Sequence, residues 1–138
     1  MYFASETKTK ICEIWIHLEL IMYGDVFLNI AKTNEETKIE WLSLCDGGAV
    51  ADKGEKNYSK DCFSGIVDAL YGINFPEQVD EDMHVIWEIQ CIDRDDNQVA
   101  GIEFGTWKED VLNKIVKSIR DIIKDNEPIQ CLIDTIEA

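Results

Sequence analysis

Apolar side chains recur at every third or fourth position over residues 106–126, which is the spacing of one face of an α-helix. Thr106 stands at the N-cap position, and Glu109 follows three residues later, so both side chains can accept unpaired N–H groups of the first turn. The pattern predicts an amphipathic helix from Thr106 to Asn126, with an apolar stripe of Val111, Leu112, Ile115, Val116, Ile119, Ile122 and Ile123.

Residues 11–22 alternate with the two-residue period of a strand that buries one face. The apolar face consists of the even positions Cys12, Ile14, Ile16, Leu18, Leu20 and Met22. A turn at residues 23–25 leads to a second predicted strand, Val26 to Lys32. A third is predicted near Thr37 to Cys45. Its apolar residues fall on both faces, so either both faces are covered or the strand contains a bulge.

The rest of the chain contains weaker patterns. Asp46–Asn57 is glycine-rich and charged, and we interpret it as a loop. Ser59 can cap a second helix that ends at Tyr71. Residues 85–91 and 98–104 alternate on either side of the polar turn 93–97, which indicates a hairpin. Residues 130–136 follow Pro128 and could form an edge strand or a docked tail.

These elements predict one α+β domain over residues 1–138. We expect a mostly antiparallel, twisted sheet of five or six strands with two helices packed on one face. The expected order is β-β-β-α-β-β-α, with a possible terminal strand.

The chain is strongly acidic, with 28 Asp and Glu residues, 13 Lys and Arg residues and a formal net charge of -15. Contacts with phosphates need clustered cations, so the charge argues against direct binding of nucleic acid or of anionic membranes. It favours a basic protein partner, because complementary fields speed association. An acidic surface that serves solubility alone is the alternative.

The start of the chain lacks the pattern of a signal peptide, and no run of apolar residues is long enough to span a membrane. The five cysteines are scattered, without a C-x-x-C pair. We interpret them as reduced core residues and expect a cytoplasmic protein.

Known chemical motifs fit poorly. The glycines of Asp46–Asn57 lack the spacing and the Lys-Ser or Lys-Thr pair of a phosphate loop. Asp93, Asp95 and Asn97 stand at the first, third and fifth positions of a calcium-loop pattern, but Gln98 replaces its glycine and Phe104 its bidentate glutamate. His17 and His84 are the two histidines, and no nucleophile motif accompanies them. We therefore predict no catalytic residue, no metal site and no cofactor.

Two groups of residues are candidates for partner binding. The first is the outward face of the predicted sheet, with Trp15, His17, Glu19 and Glu88, and also Glu13, Glu40 and Glu103. Aromatic residues among carboxylates suit an interface with a basic protein. Trp15 could equally belong to a core covered on both sides, whereas we assign Trp87 to the core. The second group is the acidic segment around the hairpin, with Glu77, Asp80, Glu81, Asp82, Asp93, Asp95 and Asp96.

The expected function is non-catalytic binding of a basic protein. The most concrete form is an immunity protein that neutralises a bacterial nuclease toxin. A nucleic-acid mimic that inhibits a defence enzyme, and a small-molecule-binding or enzymatic α+β domain, are the alternatives. The partner's identity and the oligomeric state do not follow from the sequence.

Overall fold

Six strands of the described chain form one antiparallel sheet in the order β4-β3-β2-β1-β5-β6. The computed structural model describes residues 1–20, 24–77, 85–105 and 109–137. The strands are β1 (Ile11–Leu20), β2 (Gly24–Lys32), β3 (Glu36–Cys45), β4 (Val50–Ser59), β5 (Val85–Asp93) and β6 (Gln98–Gly105).

The helices pack on one face of this sheet, as predicted. They are α1 (Asp61–Tyr71), α2 (Glu109–Ile123) and α3 (Gln130–Glu137), with short 3-10 helices at Ser5–Lys10 and Glu127–Ile129. Ile14 and Ile16 of β1 share one buried cluster with Phe63 of α1 and Ile115 of α2. Each large aliphatic side chain removed from water stabilises the fold by about 1.5–3 kcal/mol. The predicted α+β class is therefore confirmed.

A backbone N–H group in the first turn of α1 is hydrogen-bonded by a residue of the sheet. Ser59 was predicted as its N-cap, but Ser59 ends β4, and the cap position is taken by Lys60, whose side chain makes no capping bond. Instead, the N–H of Phe63 donates to Thr37 Oγ1 at 3.0 Å, and that hydroxyl donates to the Ser59 carbonyl at 2.9 Å. Thr37 is completely buried, so these bonds satisfy its hydroxyl and attach α1 to β3.

Gly65 lies in the interior of α1, where glycine costs about 1 kcal/mol relative to alanine. A Cβ atom at this position would lie 3.3 Å from the Cδ1 and Cγ2 atoms of Ile122 in α2. The glycine therefore permits a close approach of the two helices.

The segment predicted as a charged loop contains a strand. β4 pairs with β3 in antiparallel register, with a bulge at Ser43 and Leu44. The sequence pattern failed here because β4 is an edge strand whose residues are polar on both faces. Charged side chains on such an edge also discourage pairing with other chains. Gly54 of β4 lies beneath Trp41, since a Cβ atom there would be 2.0 Å from the indole ring.

A polar cluster attaches β4 to the helical layer. Asp125, just after α2, accepts hydrogen bonds from the Tyr58 hydroxyl at 2.6 Å and from Lys56 Nζ at 2.9 Å. Lys56 also pairs with Glu127 at 2.7 Å. The bonds from Tyr58 and then Lys56 lower the pKa of Asp125 to about 2. The pKa of Tyr58 is raised, first by burial and then by its bond to Asp125.

The possible terminal strand is wrong, because residues 130–137 form α3. Ile129, Leu132 and Ile133 are buried at helical spacing, and Pro128 lies in the first turn of the preceding 3-10 helix. The prediction that the cysteines are core residues holds for Cys91 and fails for Cys45, which is exposed.

Candidate functional site

None of the described helices packs on the other face of the sheet, which we call the open face. Directly opposed residues of neighbouring strands share a face, so the strand register assigns its members. They include Glu13, Trp15, His17 and Glu19 of β1, Asp25, Phe27, Asn29 and Ala31 of β2, Glu36, Lys38, Glu40, Leu42 and Leu44 of β3, Lys53, Glu55 and Asn57 of β4, Ile86, Glu88, Gln90 and Ile92 of β5, and Glu103 of β6.

Trp15 lies near the centre of the open face. It is 49% exposed and pairs with Asn29 on one side and Gln90 on the other. Of the two alternatives for Trp15, the structure supports the exposed one. Trp87 is 0% exposed and belongs to the core, as predicted. An exposed tryptophan in a sheet centre is a large apolar surface available for contact.

A shallow groove of about 580 Å³ runs beside Trp15 across β5, β1, β2 and β3, and Glu88 and Gln90 line it on β5. Leu42 and Leu44 contribute its apolar wall on β3, and Phe27 contributes the neighbouring part on β2. The alternation of β3 predicted apolar residues on both faces, and here Ile39 and Trp41 face the core while the two leucines face the groove.

His17 is held in place at the edge of this groove. Its ring stacks on Phe27 with centroids 4.3 Å apart and planes 9° apart. Its Nε2 lies 2.8 Å from Asp25 Oδ1. Within the described residues, no hydrogen bond joins His17 to a hydroxyl or a thiol. The arrangement holds the imidazole between the Phe27 ring and the Asp25 carboxylate.

Two side-chain amides orient carboxylates on the open face. Asn29 Nδ2 donates to Glu13 Oε1 at 2.8 Å. Gln90 Nε2 donates to Glu88 Oε1. Glu88 and Gln90 occupy alternate positions of β5. In the β1–β5 register Gln90 is opposite Trp15, and Glu88 is opposite His17. Acceptor oxygens therefore lie directly beside the exposed indole.

Negative charge dominates the open face. Its two cations are Lys38 and Lys53, and Lys38 is paired with Glu40 at 3.1 Å and Glu55 at 3.4 Å. The carboxylates of the described strands on this face are Glu13, Glu19, Asp25, Glu36, Glu40, Glu55, Glu88 and Glu103. The open face therefore presents a negative field around an apolar centre.

The helical side carries the opposite balance along α2. The cations of this helix and the residue after it are Lys114, Lys117, Arg120 and Lys124, and its acidic residues are Glu109, Asp110 and Asp121. The excess of acidic residues is thus unevenly distributed between these two surfaces, and the negative field is stronger at the open face than along α2.

The acidic hairpin turn is separate from this centre. Asp93 Oδ1 accepts the N–H groups of Asp95 and Asn97, each at 2.9 Å, and Asp96 adopts φ 64°. The bond from the Asn97 N–H is the main cause that lowers the pKa of Asp93. Asp93 therefore stabilises the turn. The structure does not join Asp93, Asp95 and Asp96 to Trp15, since the turn lies beyond the strand end at Ile11.

The other residues predicted for partner binding also fall into two groups, one on the open face and one away from it. Trp15, His17, Glu19 and Glu88 share the open face. Glu77 lies 3.9 Å from the N-terminal amine, in the loop after α1. Asp80, Glu81 and Asp82, also predicted for partner binding, lie outside the described residues.

Sequence reasoning missed the apolar part of the site. Phe27, Leu42 and Leu44 had no assigned role, because an apolar residue on either face of a strand looks like a core residue. The alternation of Phe27 against Val26 and Leu28 is the pattern that could have placed it on the outer face.

Comparison of the chain with protein-family models, curated proteins and solved structures finds no match. Among residues 1–20, 24–77, 85–105 and 109–137, no group of three or more His, Cys, Asp or Glu side chains could hold a metal ion. In the same part of the chain, no helix is long and apolar enough to cross a membrane.

Proposed function

We propose that this protein is a non-catalytic inhibitor that captures a basic protein on its open face. In its most concrete form it is a cytoplasmic immunity protein that neutralises a bacterial nuclease toxin. The single observation that carries the proposal is Trp15, half exposed in the centre of a sheet face, with the carboxylates Glu13 and Glu88 as near neighbours along and across the strands.

The charge distribution supports a basic partner. A nuclease presents cations to the phosphates of its substrate, so its active-site surface is complementary to a surface of clustered carboxylates. Such complementarity raises association rates by ten- to a thousand-fold at low salt, and the gain falls as salt screens the field. An inhibitor of this kind acts by occupying the partner's substrate-binding surface.

The apolar centre supports a stable complex. Binding energy at protein interfaces is concentrated in a few buried aromatic anchors surrounded by polar contacts that exclude water. Trp15 and the groove formed by Phe27, Leu42 and Leu44 provide such a centre, and the carboxylates provide the rim.

The adjoining gene provides the test. We expect the gene directly upstream to encode a large multidomain toxin with a basic C-terminal domain. Expression of that domain alone should arrest growth, and coexpression of this protein should restore it. Trp15→Ala should fail to restore growth, and Glu88→Lys should slow association by about tenfold at low salt.

Asp121→Lys is the matched control, because it makes the same charge change on the exposed surface of α2. It should restore growth and associate at the wild-type rate. An upstream metabolic enzyme, or a complex whose affinity does not depend on salt, would contradict the proposed function.

A further inference from the structure

We propose that the groove beside Trp15 is a subsite for one arginine side chain of the partner. This inference rests on the proposed function for the source of the arginine, and it adds which side chain of the partner is the anchor. Three features carry it: an apolar channel, an exposed indole, and two acceptor groups at the indole's edge.

The channel suits a long side chain with an apolar stem. Phe27, Leu42 and Leu44 form its wall, and its volume of about 580 Å³ exceeds what one side chain occupies. Arginine and lysine both bury their methylene groups along apolar surface while their charged end stays solvated. The carboxylate of Glu88 also lines the groove, so a positive charge is favoured there.

The charged end would meet the ring of Trp15. A cation over an indole face gains about 0.5–1 kcal/mol at an exposed site and more where water is excluded. Trp15 pairs in register with Gln90, and the adjacent His17 pairs with Glu88, so both acceptors lie on the strand beside the ring. Trp15, Glu88 and Gln90 also line the same groove, so aromatic surface and acceptors face one occupant.

The acceptor pair favours a guanidinium over an ammonium group. Gln90 Nε2 donates to Glu88 Oε1. Glu88 Oε2 and Gln90 Oε1 have no hydrogen bond to another described residue, so two oxygens remain as acceptors. A guanidinium is planar, stacks on aromatic rings and presents a fork of N–H donors that fits two adjacent acceptors. An ammonium group is strongly hydrated and offers no such fork.

The charge of the surroundings agrees with a cationic occupant. His17 is held by Asp25 and Phe27 and so keeps the groove's edge in place. Lys53 lies on the opposite side of the groove's leucine wall, on the edge strand β4. The carboxylates nearest to Trp15 along and across the strands are Glu13 and Glu88.

Two model peptides test the subsite with the intact protein. One alternates glycine with arginine and the other alternates glycine with lysine, at equal length and charge. We expect the arginine peptide to bind about five- to tenfold more tightly and to shift the indole N–H resonance of Trp15 in a ¹⁵N–¹H spectrum. Trp15→Ala and Glu88→Gln should each remove the preference for arginine, whereas Trp15→Phe should keep part of it.

Asp121→Asn removes one carboxylate from α2 and should leave the arginine preference unchanged. Equal affinity for both peptides, or equal losses in Glu88→Gln and Asp121→Asn, would show diffuse attraction and overturn the subsite. Those results would leave the proposed function standing. A preserved arginine preference without any binding to the toxin domain would instead overturn the proposed function alone.

Discussion

Trp15 of β1 and Trp87 of β5 lie on adjacent strands and point to opposite faces of the same sheet. In the β1–β5 register Trp15 is opposite Gln90, and Trp87 is opposite Leu18. Trp87 stacks on Phe104 with centroids 6.3 Å apart in the core, while Trp15 remains half exposed. The sheet therefore separates a face that stabilises the fold from a face available to a partner.

This separation predicts different consequences for two similar substitutions. Trp87→Ala removes a fully buried ring and should destabilise the protein by about 3–5 kcal/mol. Trp15→Ala removes a half-exposed ring and should cost less than about 1 kcal/mol. Urea unfolding measures both values. A Trp15→Ala variant as unstable as Trp87→Ala would contradict the assignment of Trp15 to the open face.

The close contact of Gly54 with the Trp41 ring predicts that a side chain at position 54 would clash. An added Cβ atom would overlap the buried ring of Trp41, so Gly54→Ala should destabilise the protein by about 1–3 kcal/mol. The double variant with Trp41→Leu identifies the cause. In that background the added methyl group should cost less, and an unchanged penalty would place the effect elsewhere.

Asp125 predicts a defined dependence of stability on pH. Its pKa is about 2 in the folded protein, below the ordinary value of 3.8. The stability it provides is therefore fully present above pH 4 and is lost as the pH falls from about 4 to 2. After allowance for solvent screening, Asp125→Asn should lower the free energy of unfolding at pH 7 by roughly 1–2 kcal/mol.

The comparison of the two proteins across pH provides the control, because their other carboxylates titrate alike. The stability difference between wild type and Asp125→Asn should shrink as the pH falls from 4 to 2. A difference that stays constant over this range would mean that the Asp125 charge does not act through Tyr58 and Lys56.

Asp93 predicts an effect on folding that is separate from binding. Asp93→Ala removes the acceptor for the N–H groups of Asp95 and Asn97, so the melting temperature should fall. Asp93→Asn retains a side-chain oxygen and should lose less. Neither change should weaken binding of a basic partner as much as Trp15→Ala does. A larger binding loss in a folded Asp93→Asn variant would make the hairpin turn the interface.

Much of the fold is predicted by the periodicity of apolar residues, because a helix or strand that buries one face must place its apolar residues on that face. Ile14, Ile16 and Leu18 of β1 and the apolar stripe of α2 pack where their spacing predicts. Cys12, predicted for the same face of β1, is not in the core cluster, because a register shift between Ile11 and Glu13 puts Ile11 there instead. β4 was not predicted as a strand. It is held by backbone hydrogen bonds to β3 and by the bonds of Lys56 and Tyr58 to Asp125, and these interactions leave no alternating apolar pattern in the sequence.

Part of the candidate site could be predicted from the sequence. Alternation places Glu13, Trp15, His17 and Glu19 on one face, and that much was predicted. Which carboxylates lie near Trp15 depends on strand order and register, which a single sequence does not specify. By charge alone, the acidic hairpin was as good a candidate for partner binding as the open face. The hydrogen bonds from the Asp95 and Asn97 N–H groups to Asp93 depend on the backbone conformation of the turn, which the sequence does not specify.

Carboxylate footprinting tests the central claim most directly. Exposed Asp and Glu side chains are coupled to an amine with a carbodiimide, with and without the basic toxin domain, and labelling is measured by mass spectrometry. We predict that the partner protects Glu13, Glu40, Glu88 and Glu103 on the open face and leaves Asp110 and Asp121 of α2 labelled as before. Protection of the α2 residues with unchanged labelling of the open face would contradict this account.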